Sequence, residues 1–511
     1  MPGPTECAPY QELKNLLREA ATLGSVGALV SWDQETYMPS AAGAHRSEQA
    51  ALLSGLVHER KTSPRVGDLL AECESEPALR ESEGAAANIR EMRRDYDRAV
   101  RVPTELVSEL ARVGSLAQDV WKEARGKSDF AMFAPWLDRV MGLTRRKAEF
   151  LMATMPPGAE LYDALLDEYE PGMTAAQIQA TFTPLKVQLS GLVQAVAGSG
   201  HTVDVSVTKV QVPAARQHQL GTLVLGAMGF DLRAGRLDTT AHPFCSGIAP
   251  GDTRLTTRYT ERGGFLEPLY GTMHEGGHGL YEQNLPKGDE FGLPSSEAVS
   301  LGIHESQSRM WENFVGRSRA FWQWALPKAK ELFSPALDTC TLDQIHTAAN
   351  QVSPSYIRVE ADEATYNLHI MMRFELERAM IAGNLATGDL PGHWNDRFKQ
   401  SFGLEVPDAR RGCLQDVHWS FGLIGYFPTY TLGNLYAAQM WEKINADLPG
   451  LDDQMSRGDF SGLRSWLVEN VHRHGRRYRA ADLCRRITGR SLESGPLVRH
   501  LQGKVKATYG V

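Results

Sequence analysis

The sequence predicts a mainly α-helical protein with a short β-region beside a cleft. Three observations carry this expectation. Apolar residues recur at the i, i+3, i+4, i+7 spacing of an amphipathic helix through most of the N-terminal third. Capping boxes open further helices downstream. Strand-like patterning is confined to the stretch between residues 201 and 260.

In chain order, Leu13, Leu16, Leu17 and Ala20 form an apolar stripe within 9–24, and similar stripes run through 46–60, 85–101, 104–126 and 130–153. Pro103, Pro156, Pro157 and Pro354 fall between such segments, where a residue without a backbone N–H interrupts a helix. Thr174-Ala-Ala-Gln177 and Thr341-Leu-Asp-Gln344 read as capping boxes. Residues 201–212 (HTVDVSVTKVQV) alternate and are expected as a strand; residues 252–260 (DTRLTTRYT), rich in Thr, are expected as another. The acidic run 72–77 reads as solvated surface. The stretch 419–441 carries no charged residue and is long enough to span a bilayer. Pro428, Gly422, Gly425, Gly433 and Asn434 interrupt it, so it is expected as a buried wall of a soluble protein. With no repeat or linker visible, the chain reads as one unit, with a helical part over 1–200 and a catalytic part over 201–511.

Composition narrows the function classes. A net charge of −8 with no long basic run argues against nucleic acid or an anionic membrane as the main partner. The six cysteines form no CxxC pair, so neither a disulfide framework nor a thiolate zinc site is expected, which suits a reducing, cytoplasmic setting. The N-terminus lacks the basic-then-apolar layout of a signal peptide.

The chemistry centres on GTMHEGGHGLYEQ, residues 271–283. His274 and His278 are i and i+4 neighbours, so on a helix both can reach one ion. Glu275 points off that face, where it can hold and deprotonate a water. Gly276 and Gly277 each cost a helix on the order of 1 kcal/mol relative to alanine, which implies close approach of another backbone, here expected to be a substrate strand. The extended HExxHxxGxxH pattern is absent, because Tyr281 and Asn284 stand where it needs glycine and histidine. A third ligand must therefore come from elsewhere. The stretch 295–312, read as a helix, offers Glu297, His304 and Glu305. Spacing favours Glu305, donor chemistry allows His304 equally, and Glu297 suits a first-turn dipole partner or a carboxylate behind the ligands.

Beyond this motif, an ordered set of others runs along the chain: Trp32-Asp-Gln-Glu-Thr-Tyr-Met-Pro39, His242-Pro-Phe244, Asp252-x-Arg254-x-Thr256, His304-Glu-Ser-Gln307, Ile357-Arg358-x-x-Ala361-Asp362 and Gly412-x-x-Gln415-Asp416-x-His418-Trp419. With the metal motif, the set resembles the thermostable carboxypeptidase Taq family of metallocarboxypeptidases, peptidase family M32. The stretch SAAGA after Pro39 departs from the family's pattern only in that loop. The resemblance implies a large helical fold with a deep central groove, similar to angiotensin-converting-enzyme-like and neurolysin-like peptidases. It implies a homodimer and one Zn2+ per chain, with Co2+ able to substitute, held by His274, His278 and Glu305. Glu275 is the implied general base, and His418 and Tyr426 are oxyanion donors, as in the related peptidases. Tyr430 and His242 would line the groove. Arg358 is expected to grip the C-terminal carboxylate of a peptide through its planar fork; failing that, it would pair with Asp362 four residues on. Arg254 is the weaker competitor, and Gln415 and Asp416 are supporting residues. The expected activity is release of single amino acids from peptides with a free C-terminus; the alternative is an endo-oligopeptidase or dipeptidyl carboxypeptidase using the same metal chemistry.

Overall fold

A computed structural model describes residues 7–240, 242–260 and 264–511. Helices dominate, and three short strands form the sheet seen among the described residues. The chain folds into two compact units, each drawn from separated stretches on both sides of residue 200. One comprises the described part of Met1–Gly27 with Pro39–Ser190 and Ser353–Thr431; the other comprises Ala28–Met38, Gly191–Val352 and Leu432–Val511.

The amphipathic stripes of the N-terminal third become the helices Ala8–Thr36, Gly43–Lys61, Glu83–Ala99, Thr104–Lys127 and Phe130–Leu151. Both capping boxes form. Thr174 N–H donates to Gln177 Oε1 at 2.9 Å and Gln177 N–H to Thr174 Oγ1 at 3.3 Å, while Thr341 and Gln344 exchange the same pair of bonds. In the first unit the helix Tyr366–Ile381 is buried nearly all round: Leu368, Ile370, Met372 and Phe374 pack apolar surface, and Arg373 and Glu377 are buried with them.

The second unit contains the sheet, in the order β1-β3-β2: β1 (Gly235–Thr239), β2 (Cys245–Ala249) and β3 (Asp252–Thr257). The central strand β3 runs parallel to β1, in the register Leu237↔Leu255, and antiparallel to β2. The strand expected at 252–260 is therefore present as β3. The strand expected at 201–212 is not: this stretch is irregular with one 3-10 turn, Ser206–Thr208. Asp204 Oδ1 accepts from Ser206 N–H at 2.8 Å, a local turn that competes with extension. Its alternating valines serve packing, Val203 lying against Val196, Val505 and Tyr509. The motif 32–39 clamps the sheet. Tyr37 OH donates to Asp238 Oδ1 at 2.6 Å, and the Arg254 guanidinium lies 4.3 Å over the Trp32 ring. The uncharged stretch 419–441 runs into the helix Pro428–Asp447, whose Leu432, Leu435, Tyr436 and Met440 are buried. Among the described residues no helix is long and apolar enough to cross a membrane.

The helix Leu266–Asn284 is wedged between its neighbours in the second unit, and this explains its glycines. A Cβ on Gly277 would lie 2.6 Å from the Gln307 carbonyl oxygen and 2.7 Å from Ser308 Cα; one on Gly276 would lie 2.6 Å from Leu225 Cδ2. The backbone that approaches is thus that of the helix Leu301–Arg309, with the helix Ala214–Met228 on the other side, and not a substrate strand. Gly277→Ala is expected to destabilise the protein by about 1–3 kcal/mol through overpacking, read as a fall in the thermal midpoint; an unchanged midpoint would contradict this packing.

Candidate metal centre

The helix Leu266–Asn284 carries His274, Glu275 and His278 on successive turns, and the helix Leu301–Arg309 packed on it carries Glu305. Ser300 caps the second helix by accepting from Ile303 N–H at 3.1 Å, which sets Glu305 in its second turn. Glu297 lies before this helix, not in its first turn, and pairs with Arg476 at 2.8 Å. Together, His274, His278 and Glu305 offer one ligand atom each, all within 4.8 Å of one another. Glu305 Oε2 is 3.6 Å from His274 Nε2 and 3.4 Å from His278 Nε2. Two imidazole nitrogens and a carboxylate oxygen turned toward a common point are the donor set of a catalytic metal site with an open position.

Glu275 supplies a second observation that fits an ion and a water. Its side chain is buried, and its Oε2 has no hydrogen-bond partner among the described residues. Burial pushes this carboxyl up to about 7, opposed by the field of His274. Glu305 behaves oppositely: burial disfavours its charge, but Arg309 and the two histidines outweigh that and hold it well below the usual carboxylate range. Burial lowers His278 to about 3, which keeps its imidazole neutral, as a ligand requires.

Each of these donors is held from behind. Arg309 Nε donates to Glu305 Oε1 at 2.6 Å, and Ser308 Oγ donates to Glu305 Oε2 at 3.1 Å. His274 Nδ1 lies 2.8 Å from Glu312 Oε2, and Glu312 accepts in turn from Arg309 Nη1 at 3.1 Å. Glu312 sits in the π-helical turn Met310–Val315, where the extra residue per turn rotates its side chain relative to a regular helix. Gly433 gives Glu305 its room, since a Cβ there would lie 2.5 Å from Glu305 Cγ. His304 lies outside this donor group: its Nδ1 faces His278 Nδ1 at 2.5 Å and its Nε2 faces Glu282 at 2.8 Å.

The comparisons with known proteins place the chain in a metallopeptidase family. The family model for carboxypeptidase Taq (M32) metallopeptidases matches residues 12–505. The chain belongs to the M32 family. Thermostable carboxypeptidase 1 of Thermus thermophilus is 47% identical over 509 residues, covering 98% of this chain and 99% of that one. Carboxypeptidase 1 of Bacillus subtilis is 36% identical, covering 98% of each chain. Among solved structures, the M32 carboxypeptidase from Deinococcus radiodurans R1 matches with a TM-score of 0.93 at 40% identity, covering 99% of this chain and 100% of that one.

Elsewhere in this M32 metallopeptidase, the structure places the remaining expected residues in two groups. In the second unit, His242 is exposed in the connection between β1 and β2. Phe244, two residues on, exchanges hydrogen bonds with Thr256, and Arg254 pairs with Asp252 at 2.8 and 2.9 Å. In the first unit, Arg358 is buried and pairs with Asp416, not Asp362: its Nε and Nη2 donate to Asp416 Oδ1 at 2.9 and 2.8 Å, and its Nη1 to Tyr366 OH at 3.0 Å. Asp362 instead accepts from the backbone of Ser353, Ala364 and Thr365. Arg373 holds the other oxygen of Asp416 at 2.7 Å. Burial works against the Asp416 charge, and the two arginines override it. His418 Nε2 lies 3.1 Å from Tyr430 OH, and the Tyr426 ring centre is 5.4 Å from that of His418. Glu377 braces this segment from below, accepting from Trp419 Nε1 at 2.8 Å, Gly425 N–H at 3.1 Å and Tyr162 OH at 2.8 Å.

The sequence reading omitted Glu312, Arg309 and Glu377. The first two were within reach of it, because Glu305, Arg309 and Glu312 follow one another at helical spacing. Glu312→Ala is expected to weaken metal binding on the order of 10–100-fold by freeing the His274 ring, measured by equilibrium dialysis; wild-type affinity in that variant would contradict the bracing role.

Proposed function

We propose that this chain is a zinc-dependent carboxypeptidase that releases single amino acids from the C-termini of peptides. Metal-dependent carboxypeptidase activity follows from membership of the M32 family and from the relatives bearing that name. The observation that carries the catalytic reading is the convergence of His274, His278 and Glu305 beside the unpartnered, buried Oε2 of Glu275. The nitrogen and oxygen donors suit Zn2+, and Co2+ accepts the same set. When bound, such an ion supplies Lewis acidity, acidifying a water and polarising the scissile carbonyl.

Glu275 takes the proton of the attacking water and delivers it to the leaving amine nitrogen. His418 and Tyr426 are the proposed donors to the negative charge that develops on the carbonyl oxygen, with His418 oriented by Tyr430. Arg358 reads the substrate carboxylate. Of the five N–H groups of a guanidinium, three donate to Asp416 and Tyr366, which fixes the plane of the fork and reserves the rest for the peptide. His242 and Tyr430 are assigned to the peptide backbone along the groove. A homodimer belongs to the same proposal and rests on the family resemblance. A cytoplasmic location rests on six cysteines, all of them free thiols.

Endo-oligopeptidase or dipeptidyl carboxypeptidase activity is not favoured, since the named relatives are carboxypeptidases. A matched pair of peptides, one with a free and one with an amidated C-terminus, tests the choice by mass spectrometry. Stepwise loss of single residues from the free form alone is expected, whereas cleavage of the amidated form would overturn the reading. In the same assay Glu275→Gln is expected to lower kcat on the order of 10²–10⁴-fold with metal content unchanged; an unchanged rate would remove Glu275 from the mechanism.

A further inference from the structure

The two histidines of the metal centre are held by different devices. Both direct Nε2 toward Glu305; as ligands, each ring would offer the Nε2 lone pair to the ion and carry its proton on Nδ1. For His274 the acceptor is a carboxylate, Glu312. For His278 it is another imidazole, since His304 Nδ1 stands 2.5 Å from His278 Nδ1.

With an ion held this way, the hydrogen bonds behind His278 assign a proton to each link of a chain. If His278 Nδ1–H donates, His304 must accept at Nδ1 and carry its own hydrogen on Nε2. That hydrogen has an acceptor in place, Glu282 Oε1 at 2.8 Å. The other oxygen of Glu282 accepts from Lys287 Nζ. Burial opposes ionisation of Glu282, but His304 and Lys287 outweigh it and hold the group near 2, so an anion terminates the chain. The fold leaves space for this terminus: a Cβ on Gly247 of β2 would overlap the Glu282 carboxylate and lie 2.8 Å from Lys287 Nζ. Glu282 and Lys287 also line a polar cavity of about 560 Å³ with Asp231, Gln283 and Arg464.

We propose that His304, backed by Glu282 and Lys287, is a positioning residue for the metal: it fixes the ring orientation and Nε2-lone-pair tautomer of His278, and so sets how tightly the ion is retained. The inference rests on the ligand assignment above. Glu282 acts on His278 through the intervening imidazole as Glu312 acts on His274 directly, in both cases increasing the basicity of the ligating nitrogen. His304 touches neither substrate nor reacting atoms in this role.

The test compares His304→Leu with His304→Gln in the full chain. Leucine removes both links, while glutamine keeps one acceptor and one donor. Metal affinity is read by competition with a chromophoric chelator, and ligand geometry by the visible spectrum of the Co2+ form. His304→Leu is expected to weaken Zn2+ binding on the order of 10–100-fold and to alter the cobalt bands, while His304→Gln recovers most of the loss. Wild-type affinity in the leucine variant, or an equal loss in both, would overturn the proposal, the latter because it would assign His304 to packing. Should the leucine variant fail to fold, Glu282→Gln carries the test from the far end of the chain: weaker metal binding is expected, and unchanged binding overturns the proposal. A wild-type control separates the two levels. If wild type binds one ion that His278→Ala loses, the ligand assignment stands whatever the His304 variants do; if wild type binds none, the ligand assignment itself fails.

Discussion

Glu305 is a carboxylate in a buried setting, and its hydrogen-bonded ion pair with Arg309 keeps it ionised there. Without that partner, burial would favour the neutral acid, and a protonated oxygen makes a poor ligand. Arg309 also reaches Glu312, which orients His274, so one guanidinium supports two of the three candidate ligands. The third, His278, is fastened through His304 and Glu282. The centre is therefore a network of complementary charges in which removing one member leaves another buried and uncompensated.

Such a network needs helices in close register, and glycine provides it. Gly277 lets the helix Leu266–Asn284 meet the helix Leu301–Arg309 nearly backbone to backbone, Gly276 makes room for the Leu225 and Met228 side chains, and Gly433 clears space for the Glu305 side chain. Four glycines inside one helix, Gly271, Gly276, Gly277 and Gly279, lower its intrinsic stability. Packing and the buried polar contacts must supply the difference. The first unit uses the same logic on different residues: Asp416 is ionised between Arg358 and Arg373, while Glu377 ties down both ends of the segment carrying His418 and Tyr426.

Much of this was legible in the sequence because it is local. Helical stripes, capping boxes and the i, i+4 histidines depend only on near neighbours in the chain, and all appear where the pattern places them. What depends on tertiary context was harder to read. The alternation at 201–212 is real, but Val203 packs against Val505 and Tyr509, and an Asp204 turn breaks the extension. Strands β1 and β2 escaped notice because GRLDT and CSGIA carry little β-propensity; pairing with β3 holds them. Gly277 does meet a close backbone, that of the helix Leu301–Arg309 and not of a substrate strand, whereas Gly276 meets side chains. The fallback partner for Arg358, Asp362 at helical spacing, is not the one it takes: the chain there is a 3-10 turn, and its ion pair is with Asp416.

Two imidazole nitrogens and one carboxylate oxygen are predicted to hold the ion, with His304 and Glu312 standing behind them. Anomalous diffraction from crystals of the zinc-loaded protein addresses this arrangement most directly. One ion per chain is predicted, with His274 and His278 Nε2 at about 2.0–2.1 Å and a Glu305 oxygen at about 2.0–2.2 Å. An ion bound through His304 or Glu312, or one that leaves Glu305 uncoordinated, would contradict it.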